Sequence, residues 1–155
     1  MRIPDENLRL VLYGNGPYVQ HIKDLISQDP RIEYRGTAQN EVIVEAEQRA
    51  TLLVNPRFTG ADYTLYSFPS KNIEYMVSGT PIVTTKLAGI PDDYAPYIFT
   101  FEEETLEGYE NTIRRILLNS DEELKEFGLR AQKYILENKN STVQVRKLKN
   151  MIKTL

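Results

Sequence analysis

Short apolar segments alternate with stretches of helical periodicity through the first hundred residues of the chain. Leu8–Tyr13 is nearly continuous in apolar residues, and a helical face formed by residues 19–26 follows it. Further strand-like segments lie at residues 32–34, 51–54, 82–85 and 97–100. Such alternation favours parallel strands joined by right-handed crossovers, and a nearly continuous apolar strand favours cover on both faces. The sequence therefore predicts an α/β fold with a parallel sheet flanked by helices.

The last third of the chain is predicted to be helical. One apolar helical face recurs through residues 106–117, and Ser120 with Glu123 has the spacing of a capping box that would open a second helix. A final helix is expected after the asparagine-rich break at residues 138–140. Its apolar face consists of Leu148, Met151, Ile152 and Leu155.

Length and charge exclude several classes of protein. A chain of 155 residues can hold one domain with a sizeable core. A net charge of −3 provides no electrostatic footprint for nucleic acid, so no nucleic-acid partner is expected. The sequence has no cysteine and no apolar run near the about 20 residues that cross a bilayer. These features agree with a cytoplasmic protein.

The stretch from Ser67 to Val83 reads as a loop, a short helix and a strand. Pro69 suits the first turn of the helix, and Gly79 suits the residue just past its end. Lys71 and Glu74 share one helical face, opposite the apolar residues. A cation, a carboxylate and a helix N-terminus together suit a nucleoside diphosphate, whereas spacing alone is explained as well by an ordinary exposed ion pair.

The full string carries a family resemblance. Phe68–Lys71, followed by Glu74–Met76 and Ser78–Val83, resembles the donor-site motif of bacterial family-4-type glycosyltransferases. Those enzymes build surface and capsular polysaccharides on the GT-B fold, in which two Rossmann-like domains face each other. The resemblance implies that residues 1–155 form one nucleotide-sugar-binding, Rossmann-like domain, the C-terminal half of such an enzyme. It also implies a fragment that lacks the N-terminal acceptor domain and the first strand and helix of this domain.

Within this motif the resemblance implies that Ser70 and Lys71 contact the donor and that Glu74 holds its ribose. Family members often carry a second glutamate eight positions earlier, near the transferred sugar, but Tyr66 occupies that position here. Tyr66 could stack near the donor or simply pack. No catalytic residue is therefore assigned.

Three further segments are candidates for donor binding. Gly14-Asn15-Gly16 joins a strand to a helix, where glycines let the backbone approach a phosphate, although a plain tight turn explains them equally well. Arg35-Gly36-Thr37 follows the next strand, and the resemblance implies that this turn holds the nucleobase; a simple connecting turn is the alternative. Arg57 follows a strand end and could clamp a diphosphate together with Lys71, or be a solvated loop residue.

Other conspicuous residues have simpler explanations. His21 is expected to be a partly buried packing residue beside Leu25, and the pair Asp92-Asp93 is expected at a helix start rather than on a metal. No metal site is predicted. The basic residues of the last helix, which are Arg146, Lys147, Lys149 and Lys153, favour a solvated face over a membrane-facing patch.

The resemblance implies transfer of a glycosyl unit, of hexosyl type, from a nucleotide-diphosphate sugar to a polysaccharide or lipid-linked glycan. A UDP-sugar is the favoured donor, and no cofactor is expected. The parent enzyme is expected to be cytoplasmic, with possible peripheral association at the inner face of the plasma membrane, and the isolated fragment is expected to be inactive. The alternative is a non-catalytic α/β module that binds a nucleotide or a partner without transfer, which Tyr66 supports.

Overall fold

A computed structural model describes residues 2–60 and 62–153. The chain divides into two compact units, Met1–Ala46 and Glu47–Leu155. The prediction that Leu155 belongs to the last helical face falls outside the described residues.

The first unit contains two parallel strands and their crossover helix. Strand β1 (Leu10–Leu12) pairs with β2 (Ile32–Tyr34), with Leu10 opposite Ile32. Helix α1 (Val19–Gln28) connects them and packs along β2, and helix α2 (Asn40–Arg49) begins in this unit and ends in the next. The predicted crossover is therefore confirmed.

The expectation that β1 is covered on both faces is wrong. Leu10 and Val11 expose 36% and 37% of their surfaces, and helix α1 buries none of its residues. His21 lies on this unburied helix and is exposed, so the expectation that it is partly buried is wrong.

The second unit is built on a three-stranded parallel sheet in the order β3 (Leu53–Asn55), β4 (Ile82–Thr85) and β5 (Phe99–Phe101). Helix α3 (Ser70–Ser78) connects β3 to β4, and single 3₁₀ segments cover Asp62–Leu65 and Asp92–Tyr97. The helices that follow are α4 (Leu106–Ile116), α5 (Asp121–Asn138) and α6 (Ser141–Lys153). The predicted α/β class with parallel strands flanked by helices is confirmed, and the ladders of the described residues form two sheets.

The core of the second unit surrounds β4. Ile82 belongs to a cluster with Met76 and Ala131, and the next residue, Val83, belongs to another with Phe101 and Ile116. Successive residues of a strand point to opposite faces, so each face of β4 has its own cluster. This fully buried strand supports the residues at its carboxyl end.

Local signals end α3 and begin α5 as predicted. Gly79 has a left-handed φ of +81°, and its N–H donates to the Met76 carbonyl. Pro69 lies just before α3 rather than within its first turn, in an extended conformation. The capping box is present, because Ser120 and Glu123 each accept from the other's backbone N–H.

Candidate functional site

A lysine on the first turn of α3 lies between two carboxylates. Lys71 Nζ contacts Glu74 Oε2 at 2.8 Å, one helical turn along, and lies 3.9 Å from Oε1 of Glu47 on α2. Lys71 and Glu74 are partly exposed, whereas Glu47 exposes only 6% of its surface. The three side chains form what we call the Lys71 cluster.

The pKa values of the cluster follow from burial and mutual charge. Burial and the neighbouring charge of Glu74 raise the pKa of Glu47, and the opposing effect of Lys71 is smaller. Burial acts to lower the pKa of Lys71, but its hydrogen bond to Glu74 and the two carboxylate charges outweigh burial and raise it. Lys71 therefore stays cationic at neutral pH, which a phosphate-binding group needs.

A buried polar pair lies at the carboxyl end of the sheet in the same unit. Asn55, the last residue of β3, donates from Nδ2 to Asn72 Oδ1 at 2.7 Å. The Asn55 carbonyl accepts from Thr84 Oγ1 at 3.0 Å, and the Arg57 N–H donates to Thr85 Oγ1 at 2.8 Å. These bonds position the loop that carries Arg57. The loop lies at the edge of the sheet where α/β proteins commonly bind ligands.

The other candidates of this unit are exposed. Arg57 and Ser70 are exposed, and Tyr66 exposes 90% of its surface, so the packing interpretation of Tyr66 is wrong. Ser70 is the first residue of α3 and precedes Lys71 directly. Ser70, Lys71 and Glu74 thus share the first two turns of one helix.

The first unit brings its own two candidate loops together. The Gly14 N–H donates to the Gly36 carbonyl at 2.8 Å, and the Tyr34 hydroxyl donates to the Gly14 carbonyl at 2.7 Å. Both glycines have positive φ, +124° and +66°, a conformation that other residues rarely adopt. These turns therefore require glycine for their backbone shape.

The flanking side chains of these loops are exposed or locally engaged. The Asn15 side chain accepts from the Gly16 N–H at 2.9 Å, and Thr37 is exposed. Arg35 donates to Glu33 Oε2 at 2.7 Å and to the Tyr13 hydroxyl at 3.1 Å. The guanidinium of Arg35 is thus paired within its own unit.

The acidic pair after Pro91 has a structural role. Asp92 and Asp93 begin a 3₁₀ segment, as expected for a helix start, and Asp93 accepts from Lys139 Nζ at 2.7 Å. That hydrogen bond lowers the pKa of Asp93. Residues 2–60 and 62–153 contain no group of three potential metal ligands.

Comparison with protein families decides the family. The model of the family described as glycosyl transferases group 1 matches residues 1–119. The chain belongs to the group 1 glycosyl transferases. A search of curated proteins found no match to this transferase chain.

Solved structures of transferases share the fold. A sucrose-phosphate synthase from Thermosynechococcus elongatus superposes with a TM-score of 0.68 at 17% identity, over 94% of this chain and 39% of that one. AviGT4, a glycosyltransferase involved in avilamycin A biosynthesis, superposes with a TM-score of 0.55 at 17% identity, over 84% of this chain and 42% of that one. This transferase chain thus spans about two fifths of the length of these neighbours, and the predicted α/β fold with parallel strands flanked by helices matches the fold of GT-B glycosyltransferases.

Sequence reasoning missed two residues of this candidate site. Glu47 lies on α2 and reaches Lys71 only through the fold, while Asn72 was hidden between the conspicuous Lys71 and Glu74. A glutamate near the end of a largely exposed helix gives no signal of its own in the sequence. The strand-end position of Asn55, followed by Pro56 and Arg57, was the one available hint.

Proposed function

We propose that this chain is the donor-binding part of a family-4-type glycosyltransferase that uses a nucleotide-diphosphate sugar, with a UDP-sugar favoured. The observation that carries the proposal is the Lys71 cluster at the N-terminus of α3. Free N–H groups of a first helical turn and an adjacent cation bind phosphate oxygens, and a carboxylate accepts from a sugar diol. The first two turns of α3 carry Lys71 and Glu74 beside the N-terminus of the helix.

The chemistry assigned to the chain is stabilisation of a leaving group. As the glycosyl bond breaks, negative charge develops on the diphosphate, and Lys71 with the first turn of α3 would neutralise it. Glu74 would exchange Lys71 for the ribose hydroxyls, and Arg57 would add a second cation.

The loops at Gly14 and Gly36 would shape the sugar and base pockets, with Arg35 and Thr37 beside the base and Asn15 and Gly16 beside the sugar. Tyr66 and Ser70 would flank the donor.

The acceptor side of the proposal concerns the longer enzyme. We assign transfer of a hexosyl unit to a growing polysaccharide or lipid-linked glycan, with the acceptor bound by a further domain. Such an enzyme would act in the cytoplasm or peripherally at the inner face of the plasma membrane. No helix of residues 2–60 and 62–153 combines the length and apolar character of a membrane span.

Calorimetric titration with UDP, GDP and ADP tests the donor assignment. We expect weak binding of at least one nucleoside diphosphate to the chain, with UDP bound most tightly. The absence of binding at millimolar concentration of all three, in this chain and in a longer protein that contains it, would contradict the proposal. Uridine, which lacks phosphates, is the matched control ligand and should bind far more weakly.

A second candidate function is nucleotide binding without transfer. It is favoured by one observation, the presence of Tyr66 at the position where related enzymes often carry glutamate. Consumption of nucleotide-sugar by the longer protein distinguishes the two candidates, because the binding module would take up UDP and leave UDP-sugar intact. Transfer activity would exclude the second candidate.

A further inference from the structure

Two buried asparagines join the two segments that carry the candidate diphosphate-binding cations. Asn55 closes β3 and Asn72 lies in the first turn of α3, and their side chains meet at 2.7 Å. Asn72 exposes 1% of its surface and Asn55 exposes 9%. Because the Asn55 carbonyl also accepts from Thr84 on β4, the contact anchors α3 to two strands.

This contact is more polar than packing requires. Within the described residues, Asn72 Nδ2 is buried and has no hydrogen-bond partner. A buried unpaired amide lowers stability, whereas apolar side chains of similar shape at both positions would not carry that cost. An interaction that lowers stability and yet fixes geometry is typical of a functional site.

The asparagines stand next to the cations along the chain. Lys71 precedes Asn72 directly, and Arg57 follows Asn55 by two residues. The Arg57 N–H is itself bonded to Thr85, next to the Thr84 that holds Asn55. The side-chain bond between the asparagines is therefore a direct cross-link between the backbone that carries Arg57 and the backbone that carries Lys71.

We propose that Asn55 and Asn72 are positioning residues that set the spacing of Lys71 and Arg57 for a diphosphate. Neither asparagine is accessible enough to contact the ligand, so both act through the cations. The inference rests on the proposed function, since it assigns these residues to the same donor site. Phosphate binding depends on this spacing because small displacements of a charged group weaken its contacts strongly.

Asn55→Ala, Asn72→Ala and the double variant test the proposal. Each single variant leaves its partner's amide unpaired, so both should unfold at lower denaturant concentration than the double variant, which leaves neither amide orphaned. The affinity should follow a different pattern. All three variants should bind the tightest of UDP, GDP and ADP about tenfold more weakly, the change expected when one charge-assisted contact is lost. The affinity for inorganic pyrophosphate should fall by the same factor, because only the spacing of the two cations has changed.

Gln132→Ala is the matched control. Gln132 Nε2 donates to the Val77 carbonyl at 2.7 Å, at the opposite end of α3, so its loss destabilises the same helix without touching the cations. We expect Gln132→Ala to lower the unfolding midpoint and to leave both affinities unchanged. All titrations are made well below the lowest unfolding midpoint, with the folded state checked by circular dichroism.

Three outcomes separate the positioning role from the donor site itself. Weaker nucleotide and pyrophosphate binding in the asparagine variants but not in Gln132→Ala supports the proposal. Unchanged affinity in the double variant, with a wild type that binds, overturns the positioning role and leaves the donor site standing. A wild type that binds none of the three diphosphates overturns the proposed function and the positioning role together. If the single variants fail to fold, the double variant decides.

Discussion

At the residue scale, the charges of the candidate donor site are paired with one another. Lys71 contacts Glu74 at 2.8 Å, and the buried Glu47 lies 3.9 Å from the same ammonium group. A diphosphate that binds Lys71 must share it with these carboxylates, and a ribose that binds Glu74 must displace Lys71. A donor that binds these side chains therefore replaces ion pairs that are already present. Substitutions of the members of the cluster should for this reason change donor affinity in different ways.

Glu74→Ala should weaken binding of nucleoside diphosphates about tenfold. The substitution removes a charged acceptor for ribose hydroxyls, which contributes about 1.5–3 kcal/mol, and it frees Lys71 from an exposed ion pair, which contributes about 0–1 kcal/mol. The first effect exceeds the second. Titration with UDP measures the loss, and stability should change by less than about 0.5 kcal/mol because Glu74 is partly exposed.

Inorganic pyrophosphate is the control for Glu74→Ala. It offers phosphate oxygens without a ribose, so the variant should bind it as tightly as the wild type or slightly more tightly. An equal loss of affinity for pyrophosphate and UDP would show that Glu74 does not bind the ribose. An unchanged UDP affinity would place it on a solvated surface.

Glu47→Gln should make stability less dependent on pH. The folded chain raises the pKa of Glu47 above its ordinary value of 4.5, so the folded state binds this proton more tightly than the unfolded state does. The resulting stabilisation is complete below the ordinary pKa and is lost as the pH rises through the folded pKa. Compared with the wild type, Glu47→Gln should thus be more stable at pH 7, and this advantage should shrink towards pH 4.

Thermal unfolding at several pH values checks this expectation, with Glu126→Gln on the exposed side of α5 as the control. Glu126→Gln should run parallel to the wild type. If Glu47→Gln lost stability at pH 7, the attraction of Glu47 to Lys71 would outweigh its burial, and the expected direction of the change would be wrong.

At the element scale, the sequence predicted what local chemistry decides. The bounds of β2 and β4, the left-handed Gly79 and the capping box at Ser120 are as expected, because adjacent residues determine each of them. The strand predicted at 51–54 lies at Leu53–Asn55, and the one predicted at 97–100 lies at Phe99–Phe101. Strand ends depend on the register with a neighbour, which a single segment does not encode.

The Lys71 cluster shows the same limit of prediction from local sequence. Its Lys71–Glu74 pair follows from helical spacing, whereas Glu47 comes from a helix 24 positions earlier along the chain. Asn72 was unremarkable in sequence because its partner, Asn55, lies on a different element. The sequence therefore did not predict the contacts between residues of different elements.

Gly128→Ala should destabilise the packing of α3 against α5. A Cβ atom at position 128 would lie 2.1 Å from the Gly79 carbonyl oxygen, at the end of α3. Alanine favours a helix by about 1 kcal/mol over glycine, but overpacking against backbone costs about 1–3 kcal/mol, and a backbone carbonyl cannot rotate away as a side chain can. We therefore expect a net loss despite the better helix former.

Chemical denaturation measures the effect of Gly128→Ala, with Lys125→Ala as the control. Lys125 is exposed on the same helix, so its replacement should change stability by less than about 0.5 kcal/mol. A Gly128→Ala chain as stable as the wild type would show that the close approach of the two helices can relax.

At the scale of the whole molecule, burial is distributed unequally between the two units. In the described part of Met1–Ala46, Ile32 is the one buried hydrophobic residue, whereas β4 of the second unit is buried along its full length. Alternating strands and helices predicted parallel pairing in both units correctly. They did not predict this contrast, because a nearly continuous apolar strand looks the same in sequence with or without helices to cover it.

Hydrogen exchange should therefore protect the two units to different degrees. Local opening costs least where few apolar side chains are buried, so amides of β1, α1 and β2 should exchange before those of α3, β4 and α5. Helix α6 is an internal control, because it too buries no residue and should exchange early although it belongs to the second unit. Exchange rates corrected for intrinsic chemistry, measured by mass spectrometry on short peptides, make the comparison. Equal protection of β1 and β4 would mean that apolar burial does not govern local stability here. Protection that rises in α3 on addition of UDP would support the proposed donor site, because a ligand bound at the first turn of α3 would stabilise that helix.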